Sequence, residues 1–174
     1  PKTRGSLPPG GSQSFVIALT PSQAISPTDM RFEFSCANAI ALSTTGLNTL
    51  LLSASSTPTP DVIALAATIS NDGIINVPGG NGTAAFAVAS ANVGVAADVV
   101  VSADTGATTL PLTLTLCRTD PGSGQCVSPV GPSVTTRINA GETPTFAIFV
   151  TAGATVPFDP GGHRVFVRFK ESGV

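Results

Sequence analysis

Period-two alternation, in short runs set between turn residues, limits this chain to one class of fold. In Leu110 to Cys117, the leucines at 110, 112, 114 and 116 share one face of an extended strand, while Thr113, Thr115 and Cys117 share the other. Met30 to Cys36 alternates as strictly, with Met30, Phe32, Phe34 and Cys36 opposite Arg31, Glu33 and Ser35. Strands with one wet face belong to antiparallel sheets, since the strands of a parallel α/β sheet are apolar on both faces. The fifteen prolines and eighteen glycines are spread along the whole chain and leave few windows long enough for a helix. Turn signals at roughly ten-residue intervals, among them Asn71-Asp72-Gly73, Pro78 to Gly82 and Asp104-Thr105-Gly106, point to an antiparallel β-sandwich.

Strands are expected at Phe15–Leu19, Met30–Cys36, Leu47–Ser53, Asp61–Ile69 and Ile74–Val77. The series continues with Thr83–Val93, Asp98–Ala103, Leu110–Cys117, Val134–Ile138, Pro144–Thr151 and His163–Lys170. Two stretches in this series correspond. Phe15, Ile17, Leu19 and Thr20 match Phe146, Ile148, Val150 and Thr151; Pro27 and Asp29 then match Pro157 and Asp159. The later copy inserts Pro160 to Arg164, after which Phe32-Glu33-Phe34 falls on Val167-Arg168-Phe169. The expectation is a piece of a tandem array: residues 1–45 hold the terminal strands of a preceding, incomplete repeat plus a linker, and residues 46–174 form one complete sandwich.

Charged residues are only 10% of the chain and hydrophobic residues 42%, so enough apolar surface is available to fold despite the Ser, Thr, Gly and Pro content. The eight basic residues are scattered and the net charge is −2, which leaves no positive stripe for nucleic acid. No apolar run approaches the roughly 18 residues that a membrane-spanning helix needs.

Cys117 and Cys126 flank the turn-rich segment RTDPGSGQ, a spacing that suits a disulfide across the base of a hairpin. Two buried thiols are the alternative. A zinc site would need further ligands of which this spacing gives no sign. A disulfide would place the chain in an oxidising compartment, secreted or at the cell surface. Cys36 is the third cysteine, either buried or paired outside the sequence.

From Gly46 to Lys170 the chain has a proline-broken first strand (Pro58, Pro60), an Asp-Gly hairpin and a final strand pair rich in Phe, Ile and Val. In these features it resembles the immunoglobulin-like repeats of large secreted bacterial surface proteins. With no Trp, and with the cysteine pair inside a hairpin instead of between sheets, the resemblance does not extend to antibody domains. It implies a non-catalytic structural or adhesin-like module without cofactor, whose partners are neighbouring repeats or subunits, or a surface glycan or protein.

The residues that could carry chemistry are few. His163 lies in a Pro-Gly-Gly turn, and a catalytic role would require a nucleophile such as Cys36 and an orienting carboxylate such as Asp159; a solvated turn histidine is expected instead. Asp29, Asp61, Asp72, Asp98, Asp104, Asp120 and Asp159 fall at strand ends and turns, where aspartate bonds nearby amides. Calcium would need several of them to converge. Asn81-Gly82-Thr83 matches a glycosylation sequon but also reads as a turn. Phe15, Phe32, Phe34, Phe146 and Phe169 are expected to point inward, whereas Phe149, Phe158 and Phe166 could point outward, the last of them flanked by Arg168 and Lys170. The alternative functions are a carbohydrate- or calcium-binding accessory module of a secreted enzyme, and a fibre subunit in which the Phe15–Cys36 pair of strands completes a neighbour's sheet.

Overall fold

The computed structural model describes residues 6, 8–36, 39–41 and 49–173, with backbone alone at 34–36 and 39–41. All regular elements among them are β-strands. The chain divides into two compact units, Pro1–Ser56 and Thr57–Val174.

In the first unit β1 (Ile25–Arg31) pairs antiparallel with β4 (Thr49–Ala54), placing Met30 opposite Leu50, with a register shift between Ile25 and Thr28. Between them, β2 (Phe34–Cys36) and β3 (Ala39–Ala41) form a second two-stranded ribbon. Three expectations change here. Phe15–Leu19 forms no strand: its backbone is irregular, and Phe15, Val16, Ile17 and Leu19 are exposed. Alternation makes a segment competent for β-structure, but a strand also needs a ladder partner for its N–H and C=O groups. The run from Met30 breaks at Phe32-Glu33, and the side chains of Phe34 and Cys36 lie outside the described residues.

The apolar run after Leu47 is the third change. Thr49–Ala54 does not open the second unit but closes the first against β1, so the division falls between Ser56 and Thr57. Gly46 itself lies outside the described residues. Pro58 and Pro60, which cannot donate to a ladder, follow this division. The two corresponding stretches also differ in structure: Pro27 and Asp29 sit within β1, whereas Pro157 and Asp159 sit in a loop.

The second unit contains β5 (Val62–Ala67), β6 (Thr83–Asn92), β7 (Ala97–Asp104), β8 (Leu112–Thr119), β9 (Ser133–Ile138), β10 (Thr145–Ala152) and β11 (Phe166–Glu171). They make two antiparallel sheets with the orders β5-β6-β10-β8 and β11-β7-β9. From β7 onward every strand lies in the sheet opposite to its predecessor. In an immunoglobulin domain the fifth strand sits beside the second in one sheet, and the third, sixth and seventh form the other. Here the sixth strand, β10, lies between β6 and β8, and the fifth, β9, pairs with β7. The antiparallel sandwich expected from the sequence is present; its strand order is not the immunoglobulin one.

β10 shows why the layers hold together. Phe146, Ile148, Val150 and Ala152 are buried, and the residues between them are partly or fully exposed. The registers set Ile148 beside Phe86 of β6 and Leu116 of β8. From the opposite sheet come Val99 and Val101 of β7, Val134 and Ile138 of β9, and Phe169 of β11. The rings of Phe146 and Phe169 meet edge to face at 5.7 Å. Burying each such aliphatic or aromatic side chain contributes about 1.5–3 kcal/mol.

Ile74–Val77, expected as a strand, is irregular. The turn before it forms, with Asn71 and Gly73 at φ values of 53° and 76° and the Ile74 N–H donating to Asp72 Oδ1 at 2.8 Å. However, both sides of β6 are already paired, with β5 and β10, so the returning segment has no ladder to join there. Ile75 and Val77 pack against the core from this loop.

Candidate functional site

Polar groups converge at one end of the sandwich, where β8 meets the loop that follows it. Asp120 organises the turn: its Oδ1 accepts from the Gly122 N–H (3.1 Å), the Ser123 N–H (2.8 Å) and the Ser123 hydroxyl (2.9 Å), and these bonds hold its pKa below the ordinary aspartate value. The chain then returns along the outer edge of β8 as an arm. Thr119 bridges Cys126, the Val127 N–H donates to Arg118 O (2.8 Å), and Leu116 and Gly131 exchange backbone bonds of 2.8 and 3.1 Å. The expected disulfide joins Cys117 to Cys126 with Cα atoms 5.7 Å apart and fastens this arm to the sheet. Cys117 is fully buried although it points away from the sandwich interior, because the arm covers it.

Arg118 occupies an inner-face position at the sheet end. Its Nη1 donates to Thr136 Oγ1 of β9 at 2.8 Å and its Nη2 to Glu142 Oε1 at 2.6 Å. Glu142 Oε2 accepts from the Asn139 N–H (2.8 Å) and side-chain amide (3.0 Å). The Asn139 N–H, and then Arg118, hold the Glu142 carboxyl below the usual glutamate range. Arg118, Thr119, Val127, Ser128 and Thr136 line an open depression of about 380 Å³. The Arg118–Glu142 ion pair beside it is partly buried and already engaged with the protein's own groups, so it ties β8, β9 and the β9–β10 turn together.

A second polar residue, Asn92, was not singled out by the sequence and is fully buried at the end of β6. Its Oδ1 accepts from the Asp61 N–H (3.1 Å) and the Gly94 N–H (3.0 Å). Its amide donates to the carbonyls of Val95 (2.8 Å), Ile138 (3.3 Å) and Asn139 (3.4 Å). One side chain thus joins the start of β5, the β6–β7 turn and the end of β9. Gly94 belongs to the same knot, because a Cβ there would collide with Thr59 O and Asp61 N. The available signal was positional: Phe86, Val88, Ser90 and Asn92 share the inward face of one strand, and a polar group at its buried end needs partners.

The remaining expected positions are dispersed. His163 sits in its turn with Nδ1 2.7 Å from Pro157 O, while Asp159 Oδ1 accepts from the Gly161 and Gly162 N–H groups instead of the imidazole. Asp98 faces Arg137 at 3.5 Å. Asp104 accepts a two-pronged bond from Arg168 (2.9 and 3.2 Å), which lowers its pKa, and the Arg168 guanidinium lies 4.7 Å over the Phe166 ring. Among the described residues no three His, Cys, Asp or Glu side chains gather as metal ligands. Phe158 is exposed, whereas Phe149 and Phe166 are only partly so; Phe15, expected inward, is exposed. Asn81 lies in the turn that leads into β6, beside Gly82, whose carbonyl accepts from the Ala152 N–H at the end of β10 (3.0 Å).

No family model, curated protein or solved structure matches the chain.

The four sheet edges of the second unit differ in chemistry. The β8 edge is covered by the disulfide-fastened arm. β11 carries Arg168, Lys170 and Glu171, and β9 carries Arg137. β5, with the sequence Val-Ile-Ala-Leu-Ala-Ala, carries no charge and no proline. Charged edge residues oppose strand-to-strand association, so β5 is the least protected of the four.

Proposed function

We propose that this chain is a non-catalytic structural or adhesive module of a secreted or cell-surface protein, built from successive β-units. The observation that carries this is how its converging polar groups are used. Arg118, Glu142, Asn139 and Asn92 spend their hydrogen-bonding capacity on one another and on strand ends, where they lock loops to sheets. The Cys117–Cys126 crosslink acts in the same sense, and a structural disulfide is compatible with an oxidising, extracellular compartment. Mechanically, backbone ladders and a crosslinked edge resist opening, while Thr, Ser and Ala on the outer faces keep the sheets in water.

The test is ligand titration of the full chain. A scaffold gives neither saturable binding on a glycan array nor a calcium-dependent shift in melting. Saturable binding of either kind refutes the scaffold and favours the accessory-module function.

A further inference from the structure

Among the described residues, two apolar segments of this chain present backbone that no strand pairs with. The first is the outer edge of β5. The Val93 N–H donates to Asp61 O, and the Ser90 and Asn92 N–H groups turn to Pro144 and Glu142 on the β10 side. The antiparallel alternation then directs the backbone of Ile63 and Leu65 to β6 and that of Val62, Ala64 and Ala66 outward. Among the described residues no strand occupies that side.

The second surface is Phe15–Thr20. It alternates apolar side chains, lies exposed, and forms no ladder among the described residues. Its Val16-Ile17-Ala18-Leu19 is identical to Val62-Ile63-Ala64-Leu65 of β5, so the same four residues already take up strand conformation in this protein. Both segments are six residues long, about 20 Å when extended. Neither carries a charge that would oppose pairing.

We propose that Phe15–Thr20 of one copy of this chain adds as a strand to the outer edge of β5 in a second copy. Donor and acceptor are different surfaces, so the contact is head-to-tail and each bound copy offers a fresh donor and a fresh edge. The outcome is a linear assembly held by backbone bonds and side-chain docking. The proposal deepens the scaffold function by supplying its partner, and rests on that function.

Two substitutions separate the surfaces. Ile17→Lys charges the exposed donor. Ala64→Pro removes an outward N–H from the acceptor edge, where proline is compatible with a strand. Sedimentation of the full chain over a micromolar concentration series is expected to show growing oligomers for the unsubstituted protein. Each substitution alone should weaken self-association about tenfold or more, equivalent to about 1.4 kcal/mol. Mixing the two variants should restore a dimer that grows no further, because I17K keeps its edge and A64P keeps its donor. A synthetic Ser14–Pro21 peptide, which requires no variant to fold, should cap assembly of the unsubstituted chain.

Monomers at every concentration, association that survives either substitution, a mixture that stays monomeric, or a peptide without effect would each overturn the proposal. None of these results bears on the glycan and calcium titrations, so the scaffold function stands or falls separately.

Discussion

Replacing Cys126 by alanine isolates the contribution of the crosslink. Cys126 lies on the exposed arm, whereas its partner Cys117 is fully buried, so truncation at 126 removes the covalent bond without opening a core cavity. The cysteines are 9 positions apart in sequence, and closing a loop of that length stabilises by about 2.7 kcal/mol in the chain-entropy model. The arm's backbone bonds to Leu116 and Arg118 remain possible in the variant, and the free Cys117 thiol stays in apolar surroundings that suit it. The whole loss should therefore fall on the unfolded state. Urea unfolding followed by circular dichroism is expected to show a lower midpoint for C126A at nearly unchanged slope. The unsubstituted protein under a reductant should lose a similar amount. A C126A protein within about 0.5 kcal/mol of the original would refute the reasoning, because it would mean that the crosslink restricts nothing in the unfolded chain. Thiol titration of the denatured, unreduced chain supplies an independent check, since Cys117 and Cys126 should both be unreactive until reduced.

Other outcomes follow from particular contacts. Asn92→Ala should destabilise by about 2–4 kcal/mol in the same assay, because it strands several buried backbone groups at once. Leu116→Ala should cost about 2–5 kcal/mol, whereas Leu65→Ala, on the exposed side of β5, should stay within about 0.5 kcal/mol. Glu142 has a lower pKa folded than unfolded, so the unfolded chain binds more protons in that interval. Its stabilisation is present above the unfolded value of about 4.3 and is lost as pH falls through the folded value. Glu142→Gln should flatten that part of the acid-unfolding profile, and an unchanged profile would refute the assignment.

Strand positions were legible wherever alternation met a partner. Phe146 read as an inward residue from the sequence and is fully buried, and Ile148 and Val150, at alternate positions of the same expected strand, are buried with it. The turns at Asn71-Asp72-Gly73 and Asp104-Thr105-Gly106 were equally plain, because the glycine in each adopts the positive φ that such turns need. The Cys117–Cys126 pair could be read from a short separation across turn-forming residues. The leucines from 110 to 116 were less well resolved: Leu116 is fully buried, but Leu112 and Leu114 are only partly so, since burial depends on what the opposite sheet covers.

Local pattern alone thus determined that this chain builds short antiparallel strands with one apolar face, and where most of them turn. Tertiary structure decided which strands pair: it left Phe15–Leu19 without a ladder, denied one to Ile74–Val77, joined Thr49–Ala54 to β1, and put β10 between β6 and β8. It also brought Arg118 to Glu142 and Asn92 to Ile138, residues 24 and 46 positions apart. The physical reason is the same in each case. Side-chain alternation is a property of one segment, but a backbone hydrogen bond in a sheet belongs to two, and the choice of partner is made by competition among all segments able to supply an edge.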